Sequence, residues 1–382
     1  MLHSQSWVQI PDFPGSQRDD GCVFTIGNKA YCFTGNNGSA CELNGFVYDG
    51  VSNTWGNMAN LPIGKERQYA TAFSYSNNGY MLTGITCPGV CLNDMYKYEE
   101  GTNTWAAMPN FPGQVRQGAC NFVIGDKAYI ISGRNSSGNV FNDVWEYNIT
   151  GSTWTQKNNL PFAGMFRGTA FQINGIGYVC YGLTNNNNFN RYIYKYDHLN
   201  DAWQMITAIN LPAKNYVACA VTSNKAFLYG GQDSVYNITN DMSLFDPTNN
   251  SVITYSGIPT LGRKGGMAFS LNNIFYITTG VDSSPARIKE TWKNDQFVGI
   301  ESNYLNAPLV DLYPNPTNNF ITVKGNNLAS LTILNSLGEI VLSQELYSNE
   351  NMINLTQLPS SIYSVSVVTR STIVQKKIVV QR

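Results

Sequence analysis

Lys29-Ala30-Tyr31-Cys32-Phe33-Thr34-Gly35 is a strand-like run closed by a glycine, and its Tyr31–Gly35 pair returns along the chain at one interval. Further copies stand at Tyr80–Gly84, Tyr129–Gly133, Tyr178–Gly182, Phe227–Gly231 and Tyr276–Gly280, each 49 residues after the last. Six copies without drift mean a circular or stacked repeat.

A turn precedes each copy at a matching register: Gly27-Asn28, Ser76-Asn77, Gly125-Asp126, Asn174-Gly175, Ser223-Asn224 and Asn272-Asn273. These residue types tolerate the positive φ that two-residue hairpin turns require. Their flanks are rich in β-branched and aromatic residues, so every repeat opens with a hairpin. A third strand follows in segments such as Phe46-Val47-Tyr48-Asp49 and Tyr194-Lys195-Tyr196-Asp197. Seven residues past its last ring comes a fourth strand, marked by Trp55, Trp105, Trp154 and Trp203, with Val252 the exception. Four strands in each of six units predict a β-propeller, where radial repetition leaves few exposed edges. The sixth unit carries Trp292-Lys293-Asn294 but has Glu301 where the next tryptophan is due. Trp7, in Ser6-Trp7-Val8-Gln9-Ile10, supplies that strand from the front of the chain. Residues around 6–10 are therefore expected to close the ring.

These features, with the turns Leu61-Pro62, Phe111-Pro112, Leu160-Pro161 and Leu211-Pro212, resemble the Kelch repeat family over roughly residues 6–298. One departure is visible, since the family's paired glycines survive only at Gly230-Gly231. The resemblance implies an all-β, six-bladed Kelch-type propeller. Kelch propellers include enzymes, sugar binders and protein-interaction modules, so the fold does not choose among functions.

Length and charge narrow the classes. A chain of 382 residues can hold more than one domain. Only 13% of it is charged and the formal net charge is -1, which argues against a nucleic-acid partner. No apolar run is long enough to span a membrane as a helix. Met1–Gln5 read as the tail of a signal peptide whose other parts lie upstream of this numbering.

Composition shifts after Gly299, giving an expected division into a propeller (1–300), a linker (301–308) and a second unit (309–382). Alternating segments at Phe320–Val323, Leu331–Leu334, Glu339–Ser343, Ile362–Val368 and Ile373–Val380, with a turn at Leu337-Gly338, predict a small β-sandwich of about immunoglobulin size. Tyr313-Pro314-Asn315-Pro316, Leu331–Leu346, Asn354-Leu355, Leu358, Ile362-Tyr363 and Lys376-Lys377-Ile378-Val379-Val380 resemble the C-terminal sorting domain of cargo for the type IX (Por) secretion system of Bacteroidota. Ser361 departs from it, standing where the family has glycine. The resemblance implies recognition of 309–382 by the secretion machinery, export, and release or attachment at the cell surface.

Candidate chemistry follows from the register. Strands one and two of a blade are antiparallel, so the start of the first and the end of the second share one face. Arg18, Arg67, Arg116, Lys214 and Arg263 recur at the first position, and Arg167 lies two residues past its place. Two steps along a strand keep a side chain on the same side. Asn36, Arg134, Asn135, Gln232, Asp233 and Asp282 follow the glycines. Together these are expected to rim the channel mouth and to bind a glycan or protein ligand, acidic ones being favoured by the guanidinium forks. The competing role for the arginines is bracing between blades.

Catalytic constellations are thin. His3 and His198 stand far from the expected mouth, which argues against a histidine-ligated metal and a Ser-His-Asp triad. A galactose oxidase activity, copper-dependent on a similar propeller, is therefore not expected, nor is any cofactor or metal. Sialic acid mutarotases are also Kelch propellers, and Glu66 beside Arg67 is the pair on which such chemistry would rest. Cys87 is expected to form a loop disulfide with Cys91, or one of them with Cys41, while Cys22, Cys32, Cys120, Cys180 and Cys219 occupy strand positions.

Overall fold

The computed structural model describes residues 7–185, 188–207, 209–294, 310–325, 328–335, 339–369 and 373–381. Met1–Gln5, the linker at 301–308, Glu301 and the Leu337-Gly338 turn lie outside them. The chain divides into two compact units, Met1–Gly299 and Ile300–Arg382. Among the described residues no helix is long and apolar enough to cross a membrane.

Among its described residues the first unit has six four-stranded antiparallel sheets and two short two-stranded ones, Lys214–Asn215 with Gln232–Asp233 and Arg263–Lys264 with Val281–Asp282. Blade 1 illustrates the pattern with Cys22–Ile26, Lys29–Phe33, Gly45–Asp49 and Thr54–Met58. Gly27, Ser76, Gly125, Asn174, Ser223 and Asn272 take φ values between 49° and 58° in the hairpin turns, which is why only small or amide residues recur there. In blade 6 the strands Met267–Leu271, Ile274–Thr278 and Thr291–Asn294 are completed by Trp7–Ile10, with Trp7 opposite Asn294 and Ile10 opposite Thr291.

The repeating glycines are fixed by backbone geometry. All six have φ between 91° and 111°, and a Cβ on Gly35 would stand 2.6 Å from the Asp19 carbonyl oxygen. Each N–H donates to the next blade: Gly35 to the Arg67 carbonyl at 3.0 Å, Gly84 to Arg116 at 2.8 Å, Gly133 to Met165 at 3.0 Å, Gly182 to Lys214 at 2.9 Å and Gly231 to Arg263 at 3.0 Å. Gly280 donates to Arg18 at 2.8 Å, returning from blade 6 to blade 1. The residue before each glycine is Thr34, Thr83, Ser132, Tyr181, Gly230 or Thr279, and it too has positive φ. The missing first glycines are thus replaced by other residues with no change of backbone.

Apolar clusters straddle neighbouring blades. One joins Phe24, Tyr31 and Phe33 of blade 1 to Met81, Tyr96 and Tyr98 of blade 2, so each sheet buries its face against the next. The fourth-strand tryptophans reach back across the joint: the indole N–H of Trp105 donates to the Ala59 carbonyl at 3.0 Å and that of Trp55 to Pro11 at 2.9 Å.

The second unit packs a three-stranded sheet (Asp311–Tyr313, Phe320–Lys324, Glu350–Asn354) with a four-stranded one (Leu328–Leu334, Ile340–Glu345, Ser361–Thr369, Ile373–Val380) around Ile321, Val323, Leu331, Ile353, Tyr363 and Val365. Asp311–Tyr313 and Glu350–Asn354 escape a reading based on alternation because they are short and mostly polar or exposed. Asn315 ties the opening motif to the terminal strand, donating to the Lys377 carbonyl at 2.9 Å and accepting from the Val379 N–H at 2.8 Å.

Candidate functional site

The face that carries the ring glycines also carries the loops that follow them, and the central channel opens there. The five registered cations start from the joints between blades, and burial decides their role. Arg18, Arg67 and Arg116 are 0% exposed, Arg263 is 1% and Lys214 is 5%. Their bonds follow one plan. Arg67 donates from Nε to the Lys65 carbonyl at 3.0 Å, from Nη1 to the Thr83 carbonyl at 2.9 Å, and from both Nη atoms to Asp94 at 2.5 and 3.0 Å. Arg116 repeats this on Gln114, Ser132 and Asp143, with the carboxylate contacts at 2.6 and 2.7 Å. Lys214 pairs with Asp241 and Arg263 with Glu290. Arg18 uses the Ser16, Thr34 and Asn44 carbonyls.

These side chains brace the blades, correcting the expectation that they line a cationic funnel. A guanidinium already satisfied in a dry joint offers no edge to a ligand, and stripping it of partners is costly. The signal was available in the sequence: an acid stands 27 residues after Arg67, Arg116, Lys214 and Arg263. The same bracing removes the proposed acid–base pair. Arg67 is taken by Asp94, whose carboxyl is pushed up by burial but held below its usual range by the Arg67 and Lys65 contacts. Glu66 sits half-buried beside it in sequence only.

Arg167 belongs to a different register. Buried Met165 fills the place of the bracing arginine, and Arg167 has φ 55°, so strand alternation does not carry from one to the other. Its equivalents are Asp20, Tyr69, Gly118, Tyr216 and Gly265, one per blade, all with φ between 55° and 64°. Their backbones form a ring around the axis. Asp20 N–H donates to Gly265, Tyr69 to Asp20, Gly118 to Tyr69, Arg167 to Gly118 and Tyr216 to Arg167, at 2.7–3.1 Å. Counting by 49 from Asp20 finds this ring directly, but a search by residue type does not, because its six members are of four kinds.

Side chains cross the mouth from this ring. Arg167 reaches from blade 4 to the Asp20 carboxylate of blade 1. Its guanidinium lies 4.4 Å from the Tyr69 ring centre and 4.2 Å from that of Tyr216. Burial pushes the Asp20 carboxyl up to about 7, with the Arg167 charge opposing. At the crossing is a cavity of about 140 Å³ lined by Asp20, Arg167 and Tyr216 and by the next residues along the inner strands, such as Gly21, Gly168 and Val217. A second, of about 260 Å³, is lined by residues of the innermost strands, including Thr25, Ser74 and Cys219.

Around the ring, the residues after the glycines divide into two groups. Asn36, Asn135, Asp233 and Asp282 accept hydrogen bonds from backbone N–H groups of their own loops, so their side chains shape those loops. Gln232 also bonds its own loop, donating to the Tyr236 carbonyl at 3.1 Å, and Arg134 is the exception. The Arg134 guanidinium lies 3.6 Å from the Phe166 ring centre, its Nε without a partner among the described residues. Gln232 accepts from Lys264 at 3.0 Å, and Arg287 donates to Asp19 at 2.7 Å. Lys264 and Arg287 had no place in the sequence-based set because they lie off the two registers it used. Tyr236 is 78% exposed on the loop after Gly231. Cys41 and Cys87 form a disulfide between the loops of blades 1 and 2, while Cys91 is a buried thiol. Among the described residues no group of three or more His, Cys, Asp or Glu side chains could hold a metal ion.

Residues 79–294, over half of the chain, match the family model described as the attractin/LZTR1 β-propeller. Residues 311–381 match the secretion system C-terminal sorting domain. Among solved structures, that of YjhT superposes with a TM-score of 0.62 at 16% sequence identity, covering 74% of this chain and 96% of that one. That likeness shows the fold. No curated protein matches. The sorting domain marks the protein for export to the cell surface or beyond.

Proposed function

The chain belongs to the attractin/LZTR1 β-propeller family, and from that premise we propose that it is an exported binding module taking a glycan or protein ligand on the loop face around its channel mouth. The observation that carries this reading is the contrast in burial and pairing between the two sets of cations. The braces are held inside the joints by carbonyls and, for four of the five, a close acid, whereas Arg134 is half-buried with its guanidinium beside the Phe166 ring and no ion pair among the described residues. Lys264, Gln232 and the exposed Tyr236 extend the same rim, a mixture of amide, cation and aromatic suited to polar surfaces. A mutarotase reading gains nothing comparable, because the Glu66–Arg67 pair on which it rested is not assembled.

The test is binding of the full chain to glycan and extracellular-protein arrays. Binding that is lost in Arg134→Ala and Tyr236→Ala, with melting temperatures kept, supports the rim. Binding that survives both substitutions, or is carried by residues 309–382 alone, overturns it.

A further inference from the structure

The floor of the mouth has a chemistry of its own, independent of whatever binds the rim. The six ring positions are complementary across the axis: Asp20 faces Arg167, Tyr69 faces Tyr216, and Gly118 faces Gly265, each pair three blades apart. The glycines are where the crossing side chains need space. A Cβ on Gly265 would stand 2.6 Å from Asp20 Oδ1, and one on Gly118 would meet the Phe166 ring at 2.5 Å and Arg167 Cδ at 3.1 Å. The two tyrosine rings, 6.3 Å apart between centres, meet at 68° and form a wedge open toward Arg167. A planar cation with two aromatic rings beside it and one edge on a carboxylate is an arrangement that favours guanidinium over ammonium.

We propose that Asp20, Tyr69 and Tyr216 form a guanidinium cage that the chain fills with its own Arg167, locking the channel shut at this face. The occupant is tethered, so the cage holds it at a high effective concentration. Closing the cage ties blade 1 to blade 4, which share no strand pairing, and it puts Asp20, Arg167 and Tyr216 in the wall of the 140 Å³ cavity. A general role in packing would be met by any side chain of the right volume. A cage is specific for the cation, and this difference is measurable.

The experiment removes the tether and offers the free cation. Full-length wild type, Arg167→Ala and the double variant Arg167→Ala/Asp20→Asn are melted across pH 7 to 9, because the Asp20 carboxyl, pushed up by burial, loses the opposing Arg167 charge in Arg167→Ala, in millimolar guanidinium chloride against matched sodium chloride. Cys219 lines the inner cavity, and its alkylation, followed by peptide mass spectrometry, reports access to the channel. The expected result is a saturable rise in melting temperature with guanidinium in Arg167→Ala, absent from wild type and from the double variant. Cys219 alkylation should be several-fold faster in Arg167→Ala and slowed again by guanidinium. No guanidinium-specific stabilisation of Arg167→Ala, or an equal one in the double variant, overturns the cage. Should Arg167→Ala not fold, Arg167→Lys decides: a lowered melting temperature with faster Cys219 alkylation supports the cage, and wild-type values for both overturn it.

Discussion

Arg116 and Arg167 lie in adjacent blades, and their environments differ completely. Arg116 is sealed in a joint, bonded to two carbonyls and to Asp143. Arg167, two residues beyond the equivalent place, points to the axis and meets Asp20 from across the channel. The backbone makes the difference, because the positive φ of Arg167 turns its side chain out of the joint. Within a repeat, residue type says little about role until the position is counted.

The widest gap between the two classes of arginine should appear in stability. Arg116→Ala strands the Asp143 carboxylate and two carbonyls, and breaking such a pair costs about 3–5 kcal/mol. Arg134→Ala at the rim should cost roughly 1 kcal/mol or less. Urea unfolding of both variants checks this, and equal losses would erase the distinction between brace and rim. Next comes Gly35→Ala, which forces an alanine to φ 99° against a carbonyl. A strained residue of this kind costs of the order of 1–3 kcal/mol, so its melting temperature should fall clearly below that of a Gly101→Ala control, where a Cβ meets open space. Trp105→Phe keeps a ring in the joint but loses the bond to Ala59, a loss of about 1 kcal/mol. The smallest effect is expected for Glu66→Gln, within about 0.5 kcal/mol of wild type as for other surface changes. A marked loss of stability or of ligand binding there would return Glu66 to the candidate site.

Much of the architecture could be read from spacing alone. The glycine interval, the hairpin turns and the tryptophan positions each follow from a local rule, namely a φ only some residues accept or a ring that must fill a joint. Trp7 was legible for the same reason, since an outer strand without its tryptophan is a gap of known shape. The mouth was harder. Arg18, Arg67, Arg116, Lys214 and Arg263 share one register, but nothing in a row of cations tells whether a carbonyl or solvent lies at the far end. The acids 27 residues on carry that information. Asp20 and Arg167 meet only because the chain closes on itself, and a contact across 147 residues has no local trace.

That closure also bears on how the protein is made. Trp7–Ile10 and Thr291–Asn294 share a sheet, so the first strand to emerge from any pore threaded from the N-terminus has to wait for one of the last. Until then blade 6 lacks its outer strand, Gly280 lacks the Arg18 carbonyl, and the five finished blades remain an open arc with two raw edges. The entropic cost of bringing such distant ends together comes before the contacts that offset it. In chain order the sorting domain comes after Thr291–Asn294, the strand on which Trp7–Ile10 closes the circle. By the order of the chain alone, the signal for leaving the cell is delivered only after the ring has every piece it needs.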